Sequence, residues 1–199
     1  MGEMNPDDGG LWSRSLTGDG GAFGVLFDRH RDRVYRHAYR LAQNRADAED
    51  VSAVAFLELW RLRAKVRLVE CSVLPWLLVT TTNCALNLRR STRRYEVLLK
   101  SLPHGTVAAD PAETYLQENP LHGVDDHLAA ALRALKPVDL QLITLVALEG
   151  YDIAAAAAVL RLSPEAAKTR LHRARQRLRQ DLPAPAAPRA LTLSEEGRS

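Results

Sequence analysis

The stretch from Gly150 to Gln180, GYDIAAAAAVLRLSPEAAKTRLHRARQRLRQ, leaves a chain little freedom in how to fold. Ile153, Ala156, Ala157 and Leu160 recur at helical spacing, and a break follows at Arg161-Leu162. Ser163 then stands where an N-cap belongs, with Pro164 at the first helical position and Glu165 behind it. From there Ala167, Leu171, Ala174 and Leu178 draw one apolar stripe. Lys168, Arg170, Arg173, Arg175, Arg177 and Arg179 follow one another with no acid before Asp181. Two helices joined by a tight turn, the second basic everywhere outside its stripe, form the pattern of a helix-turn-helix whose second helix enters the major groove of DNA. The alanines of the first helix suit the close approach this requires. Lys168, Thr169, Arg170, His172 and Arg173, near the front of the second helix, are the candidate groove contacts, and Ser163 can donate to a phosphate. The competing reading is an amphipathic helix whose charges merely face solvent. The Ser-Pro cap placed directly after a small-residue helix argues against it.

A length of 199 residues accommodates one ordinary domain or two small ones. With 46% hydrophobic residues but only 6% aromatic, the chain is expected to be all-α, packed through alanine and leucine. The formal charge of +3 does not by itself demand a nucleic-acid partner. The distribution is more telling: Arg89, Arg90, Arg93 and Arg94 form one basic cluster and the final helix another, which suggests two contacts with one long polyanion. Cys71 and Cys84 are the only cysteines, with no CxxC and no His/Cys spacing for a metal, so a cytoplasmic protein with free thiols, no metal and no cofactor is expected. MGEMNPDDGG has neither the basic start nor the apolar core of a signal peptide, and no run reaches membrane-spanning length, so no membrane partner is expected. A Gly-rich phosphate loop, a nucleophile paired with a base and a metal-ligand cluster are all missing, which argues against an enzyme.

Taken in order, residues 1–10 are expected to be disordered, and Leu11, Trp12 and Leu16 to form a short helical piece ended by the breaker from Thr17 to Gly21. A long helix follows from about Ala22 to Gln43, with Phe23, Leu26, Phe27, His30, Val34, Ala38 and Leu41 on its core face. His30 reads as a packed or capping histidine, because no ligand residues accompany it. The next helix opens with Asp47, Glu49 and Asp50 in its first turn, where the macrodipole favours carboxylates over a cation-binding role. Val51, Ala55, Leu59 and Leu62 form its buried stripe. Phe56, Leu57 and Trp60 cannot all share that stripe, so large apolar surface faces outward, toward a partner or under a neighbouring helix. Residues 63–72 lose the helical pattern. Pro75 launches a helix from Trp76 to about Lys100, with a polar middle (Thr80, Thr81, Thr82, Asn83, Asn87) and a rear of four arginines. Asparagine can read adenine edges and arginine guanine or phosphate, so this is a second candidate DNA surface; the alternative is an ordinary solvent-facing turn. Residues 103–123 hold three prolines and read as a linker that lets the modules at 11–102 and 124–182 move independently. The second module starts near Asp125 with Leu128, Leu132 and Leu135, then an almost wholly apolar helix runs from Pro137 to a stop at Gly150. Residues 183–199 are expected to be disordered.

The order of DAEDV with Phe56 and Trp60 downstream, PWLL with Asn83 and the RR…RR run, a proline-bearing linker and a terminal KTRLHRARQRLR resembles the small extracytoplasmic-function sigma factors of bacterial RNA polymerase, over about residues 20–182. The resemblance implies two small helical domains, region two binding the polymerase clamp and the minus-ten element, region four binding the minus-thirty-five element and the polymerase flap. Carried over by position, Asp47, Glu49, Asp50, Val51, Phe56, Leu57 and Trp60 would bind polymerase. Trp76, Asn83, Asn87, Arg89, Arg90, Arg93 and Arg94 would serve the minus-ten DNA. The loop from Val66 to Val73 would correspond to the segment that captures a flipped non-template base. Ser163, Lys168, Thr169, Arg170, His172 and Arg173 would hold the minus-thirty-five duplex. The implied partners are core RNA polymerase, promoter double-stranded DNA and its melted non-template strand, with an anti-sigma factor as a further candidate and a monomer as the free state.

The chain departs from the family pattern at several positions. Val54 stands where a glutamate is common, and Val79-Thr80-Thr81-Thr82 where basic or small residues follow PWLL. Ala155 replaces a usual glutamate, Ala156 a branched aliphatic and Arg161 the turn glycine. A non-glycine residue at positive φ there costs on the order of 1 kcal/mol. These changes describe a divergent member. The competing function is a helix-turn-helix transcriptional regulator that never touches polymerase. Such a regulator binds paired half-sites as a dimer, whereas a sigma factor meets two unlike elements as a monomer.

Overall fold

Capping residues set where the helices begin. In the computed structural model, which describes residues 7–101 and 126–181, Asp7 accepts from the Gly10 amide at the head of α1 (Asp8–Leu16). Asp19 accepts from the Ala22 amide to start α2 (Gly20–Ala42), and Asn44 from the Asp47 amide to start α3 (Arg45–Leu62). Two expectations change as a result. Residues 7–10 form the Asp7 cap and the head of α1, so they are not disordered. With α3 starting at Arg45, only Asp47 lies in its first turn, and Glu49 pairs instead with Arg45 at 3.0 Å. The macrodipole therefore accounts for Asp47 but not for Glu49 or Asp50. Residues 1–6, the expected linker at 103–123 and the expected tail at 183–199 lie outside the described residues.

The first module packs α1, α2, α3 and α4 (Leu74–Ser101) around Leu11, Trp12, Leu26, Val34, Leu59, Leu74, Leu77 and Leu78. The polar middle of α4 does not face outward as a unit. Thr81 and Thr82 are fully buried, their hydroxyls donating to the carbonyls of Leu77 (2.8 Å) and Leu78 (2.9 Å). That back-bonding satisfies the hydroxyl within its own helix, which lets a threonine sit in a core.

The second module comprises α5 (Asp126–Ala134), α6 (Pro137–Ile143), α7 (Ile153–Leu160) and α8 (Pro164–Asp181). The single apolar helix expected from Pro137 to Gly150 is interrupted. After Ile143 the chain widens into one π turn over Thr144–Leu148, closed by the Glu149 amide donating to Thr144 O at 3.0 Å. Gly150 at φ 78° then redirects it. Asp152 caps α7 through the Ala155 amide. Its C-terminus is a Schellman motif: Leu162 N donates to Ala157 O at 2.9 Å, Arg161 N to Ala158 O, and Arg161 itself sits at φ 55°. Ser163 Oγ accepts from the Ala166 amide at 3.2 Å and launches α8. Ala167, Leu171 and Ala174 of α8 are buried against α6 and α7.

The two modules are docked on each other. α4 packs on α6 and α7, and α2 on α5, so that one apolar core runs through both. Polar groups are paired across the seam: Arg33 and Arg40 of α2 reach Glu149, and Gln141 of α6 donates to Asn83 of α4 at 2.8 Å.

Candidate functional site

The buried stripe of α8 turns the rest of the helix outward. Lys168, Thr169, Arg170, His172 and Arg173 are all exposed, as is Ser163 at the cap. Arg170 is already oriented, its Nη1 lying 3.1 Å from the Asp139 carboxylate, which is 10% exposed. A groove between Lys136, Thr169, Arg170, Arg173 and Arg177 lies on one flank of the helix, and another, with Lys168, His172, Arg175 and Arg179, on the other. Both carry donors able to hold phosphate, and the first also contains the Asp139 and Glu165 carboxylates.

On α4, Asn83, Asn87, Arg89, Arg90, Arg93 and Arg94 are exposed, and Asn87, Arg90, Arg93 and Arg94 share a shallow groove with Val97. Trp76 is separate from the arginines. It is half-buried against the core at the front of the helix, about 20 Å along the axis from Arg89 at 1.5 Å per residue. Two of the candidate DNA contacts are occupied by the second module: Asn83 Oδ1 accepts from Gln141, and Arg89 reaches the Arg133 carbonyl at 3.5 Å.

The polymerase-facing set also divides. Val51 and Phe56 are core residues, 3% and 4% exposed, and cannot offer their side chains to a partner. Phe56 packs edge-on against Phe27 at 4.7 Å, and half-buried Trp60 packs against Phe23 at 5.0 Å with the Arg63 guanidinium over its ring. Leu57 is 63% exposed. Val54, one turn before it, is also exposed, as is Phe27 beside Phe56. Glu49 and Asp50 are exposed and Asp47 half-buried. The outward apolar face is thus Val54 and Leu57, bordered by Phe27, a residue whose helical spacing had suggested the core.

A further constellation escaped the reading of the sequence. After a 3-10 turn at Arg63–Lys65, Val66 is buried and the chain folds into a tight hairpin in which Val69 and Ser72 exchange both backbone hydrogen bonds. Its two central residues, Glu70 (φ 51°) and Cys71 (φ 56°), are exposed and in left-handed conformation. Neither is glycine or asparagine, so each costs about 1–2 kcal/mol relative to ordinary backbone. Ser72 Oγ donates to Asp8 Oδ2 at 2.6 Å and accepts from the Leu74 amide at the head of α4. Asp8, 7% exposed, also receives Arg29 Nη1 on Oδ1 and His30 Nε2 on Oδ2, both at 2.7 Å. Burial alone would push its carboxyl up, but the hydrogen bonds from His30, Ser72 and Arg29, with the charge of His30, hold it well below the usual carboxylate range. The tandem Asp7-Asp8 was the only trace in the sequence: one acid caps α1, leaving its neighbour to turn inward.

Two basic helix faces on two helical modules, one of them a helix-turn-helix, define an all-α DNA-binding protein. Comparison with known proteins agrees. The family models for Sigma-70 region 2 and Sigma-70, region 4 match residues 26–95 and 126–178. The ECF RNA polymerase sigma factor SigE of Mycolicibacterium smegmatis is 34% identical over 170 residues, which cover 82% of this chain and 63% of that protein. RNA polymerase sigma factor CarQ of Myxococcus xanthus is 30% identical over 162 residues, 80% of this chain and 88% of that one. The solved structure of CnrH in complex with the cytosolic domain of CnrY shares the fold, with a TM-score of 0.58 and 24% identity, over 87% of this chain and 95% of that chain. The chain belongs to the sigma-70 family of RNA polymerase sigma factors, in its extracytoplasmic-function group. Helix α1 lies ahead of both matched segments. Among the described residues no helix is long and apolar enough to cross a membrane.

Proposed function

We propose that the chain is a cytoplasmic, non-enzymatic promoter-specificity subunit. Its α3 face binds core RNA polymerase, the exposed asparagines and arginines of α4 meet the minus-ten DNA, and the front of α8 reads the minus-thirty-five duplex. The observation that carries this reading is the apolar face of Val54 and Leu57 on an otherwise core-forming helix, flanked by exposed Glu49 and Asp50. An exposed apolar face calls for a protein partner; a dimeric regulator would cover it with a second copy of itself, a polymerase subunit with core polymerase, and retention of polymerase separates the two. On α8, sequence readout comes from a few bidentate contacts of about 1–3 kcal/mol each, added to a phosphate term that weakens with salt. A partner that holds the modules docked would keep Gln141 on Asn83, and an anti-sigma factor could silence the chain in that way. The test is retention of core polymerase on the immobilised full chain. Wild type should retain it and Leu57→Ala should lose most of it while still shifting a minus-thirty-five duplex. Equal DNA binding with no retention by either would make the chain a helix-turn-helix regulator.

A further inference from the structure

The Val69–Ser72 turn is held by a residue from outside its own segment. Its tip has no packing reason to keep its shape, since Glu70 and Cys71 are exposed and both stand at positive φ. The turn is fixed instead at Ser72, whose hydroxyl joins three elements: it donates to Asp8 of α1, belongs to the turn, and accepts from the amide of Leu74 at the start of α4. Asp8 is in turn anchored to α2 through Arg29 and His30. A buried, fully partnered carboxylate is weak evidence of a contribution to stability, because an apolar residue of similar size often serves as well. Its better attested effect is to fix one geometry among several. Strained backbone over-determined by its surroundings is typical of segments that present side chains to a ligand. The tip presents Glu70, the only acid between Arg63 and Val73, and a carboxylate can accept from the exocyclic amino group of an unstacked cytosine or adenine.

We propose that Asp8 is a positioning residue for recognition of the melted non-template strand, its carboxylate locking the Val69–Ser72 turn through Ser72 so that the tip meets an unstacked base in one fixed shape. α1 is then part of the recognition unit although it precedes the region 2 match. The inference rests on the reading of the chain as a sigma factor whose Val66–Val73 loop faces the displaced strand.

The test uses holoenzyme assembled from the full chain and core polymerase, with a promoter defined by its own transcripts. Binding of a fluorescent single-stranded oligonucleotide carrying the non-template minus-ten sequence is compared with binding of the same strand made abasic at each position in turn. Wild type should show one position where base removal weakens binding roughly tenfold or more. Ser72→Ala, which leaves the Asp8 pairing with Arg29 and His30 in place, and Asp8→Asn should each reduce that ratio to under about threefold, and Ser72→Thr should restore it. Affinity for core polymerase and for the minus-thirty-five duplex should stay at wild-type values, which a general loss of folding would not allow. If Asp8→Asn fails to fold, Ser72→Ala decides. Wild-type discrimination in Ser72→Ala would overturn the proposal while leaving the sigma reading intact. If no position discriminates in the wild-type holoenzyme, the reading of the loop fails and the proposal with it.

Discussion

Two buried histidines on α2 meet opposite electrostatic surroundings. His30 lies against the Asp8 carboxylate, whereas His37 is buried beside the Arg40 guanidinium. Because Thr82 Oγ1 donates to Leu78 O, His37 Nε2 must be the donor in its 2.8 Å bond to Thr82 Oγ1, leaving Nδ1 without a partner among the described residues. Burial, with Arg40 adding to it, lowers the His37 pKa to about 3. The folded state therefore binds fewer protons than the unfolded chain between that value and the ordinary one near 6.5. The stability His37 contributes is complete above about pH 6.5 and is lost as pH falls toward 3. Asp8, also depressed, adds its own loss only below about pH 4. The midpoint of urea unfolding should accordingly fall from pH 6.5 to 4.5 in wild type and stay nearly level in His37→Gln; a level wild-type profile would contradict the assignment. Arg161 supplies a second residue-scale expectation. At φ 55° it occupies a position suited to glycine, so Arg161→Gly should raise stability by about 1 kcal/mol in the same assay. The exchange of turn glycine for arginine was legible in the sequence. The burial of Thr81 and Thr82 was not, because a threonine that bonds its own helix looks polar only on paper.

At the scale of elements, α3 and α8 each separate a core face from a working face. Phe56 and Leu57 are adjacent in sequence but 4% and 63% exposed. Phe56→Ala should cost about 3–5 kcal/mol of stability. Leu57→Ala should change stability by less than about 0.5 kcal/mol, yet weaken binding of core polymerase. Equal loss of folding in both would place Leu57 in the core and remove the proposed surface. On α8, Lys168→Ala should weaken minus-thirty-five binding and lower the slope of log affinity against log salt by about 1, measured by fluorescence anisotropy. The start of α8 was readable, because Ser163 is a cap with a chemical reason to be there; Asp19 and Asn44 cap α2 and α3, which begin two residues ahead of the starts that the apolar pattern suggested. The π turn was not, since ITLVAL is apolar at every position but Thr144 and gives no phase from which to see the helix widen. The split of the α3 stripe was half legible: the residues could not all fit one face, but only the ring contacts of Phe56 with Phe27 and Trp60 with Phe23 decide which turn inward.

For the whole molecule, the docked arrangement and the proposed activity make different demands. Two promoter elements some 25 base pairs apart are separated by about 85 Å at 3.4 Å per pair. A compact chain of this length has a radius of gyration of only about 16 Å. The modules must therefore part to touch both elements at once. Their seam suits that, being held partly by polar pairs that can exchange with water: Arg33 and Arg40 with Glu149, and Gln141 with Asn83. Glu149→Gln should shift free chains toward the open form, read as lower energy transfer between dyes placed on α3 and α8; unchanged transfer would mean that the apolar part of the seam holds the modules alone. None of this docking was visible beforehand, because its partners lie far apart in sequence and each looks like an ordinary surface residue. Whether the chain directs polymerase to promoters is decided by transcription from genomic DNA with core polymerase, with and without the full-length chain. Discrete new transcript ends are expected, with two elements at constant spacing recurring upstream of them, and these ends should be lost in Leu57→Ala and in Lys168→Ala. Transcripts identical with and without the chain, from protein that still binds duplex DNA, would contradict that role.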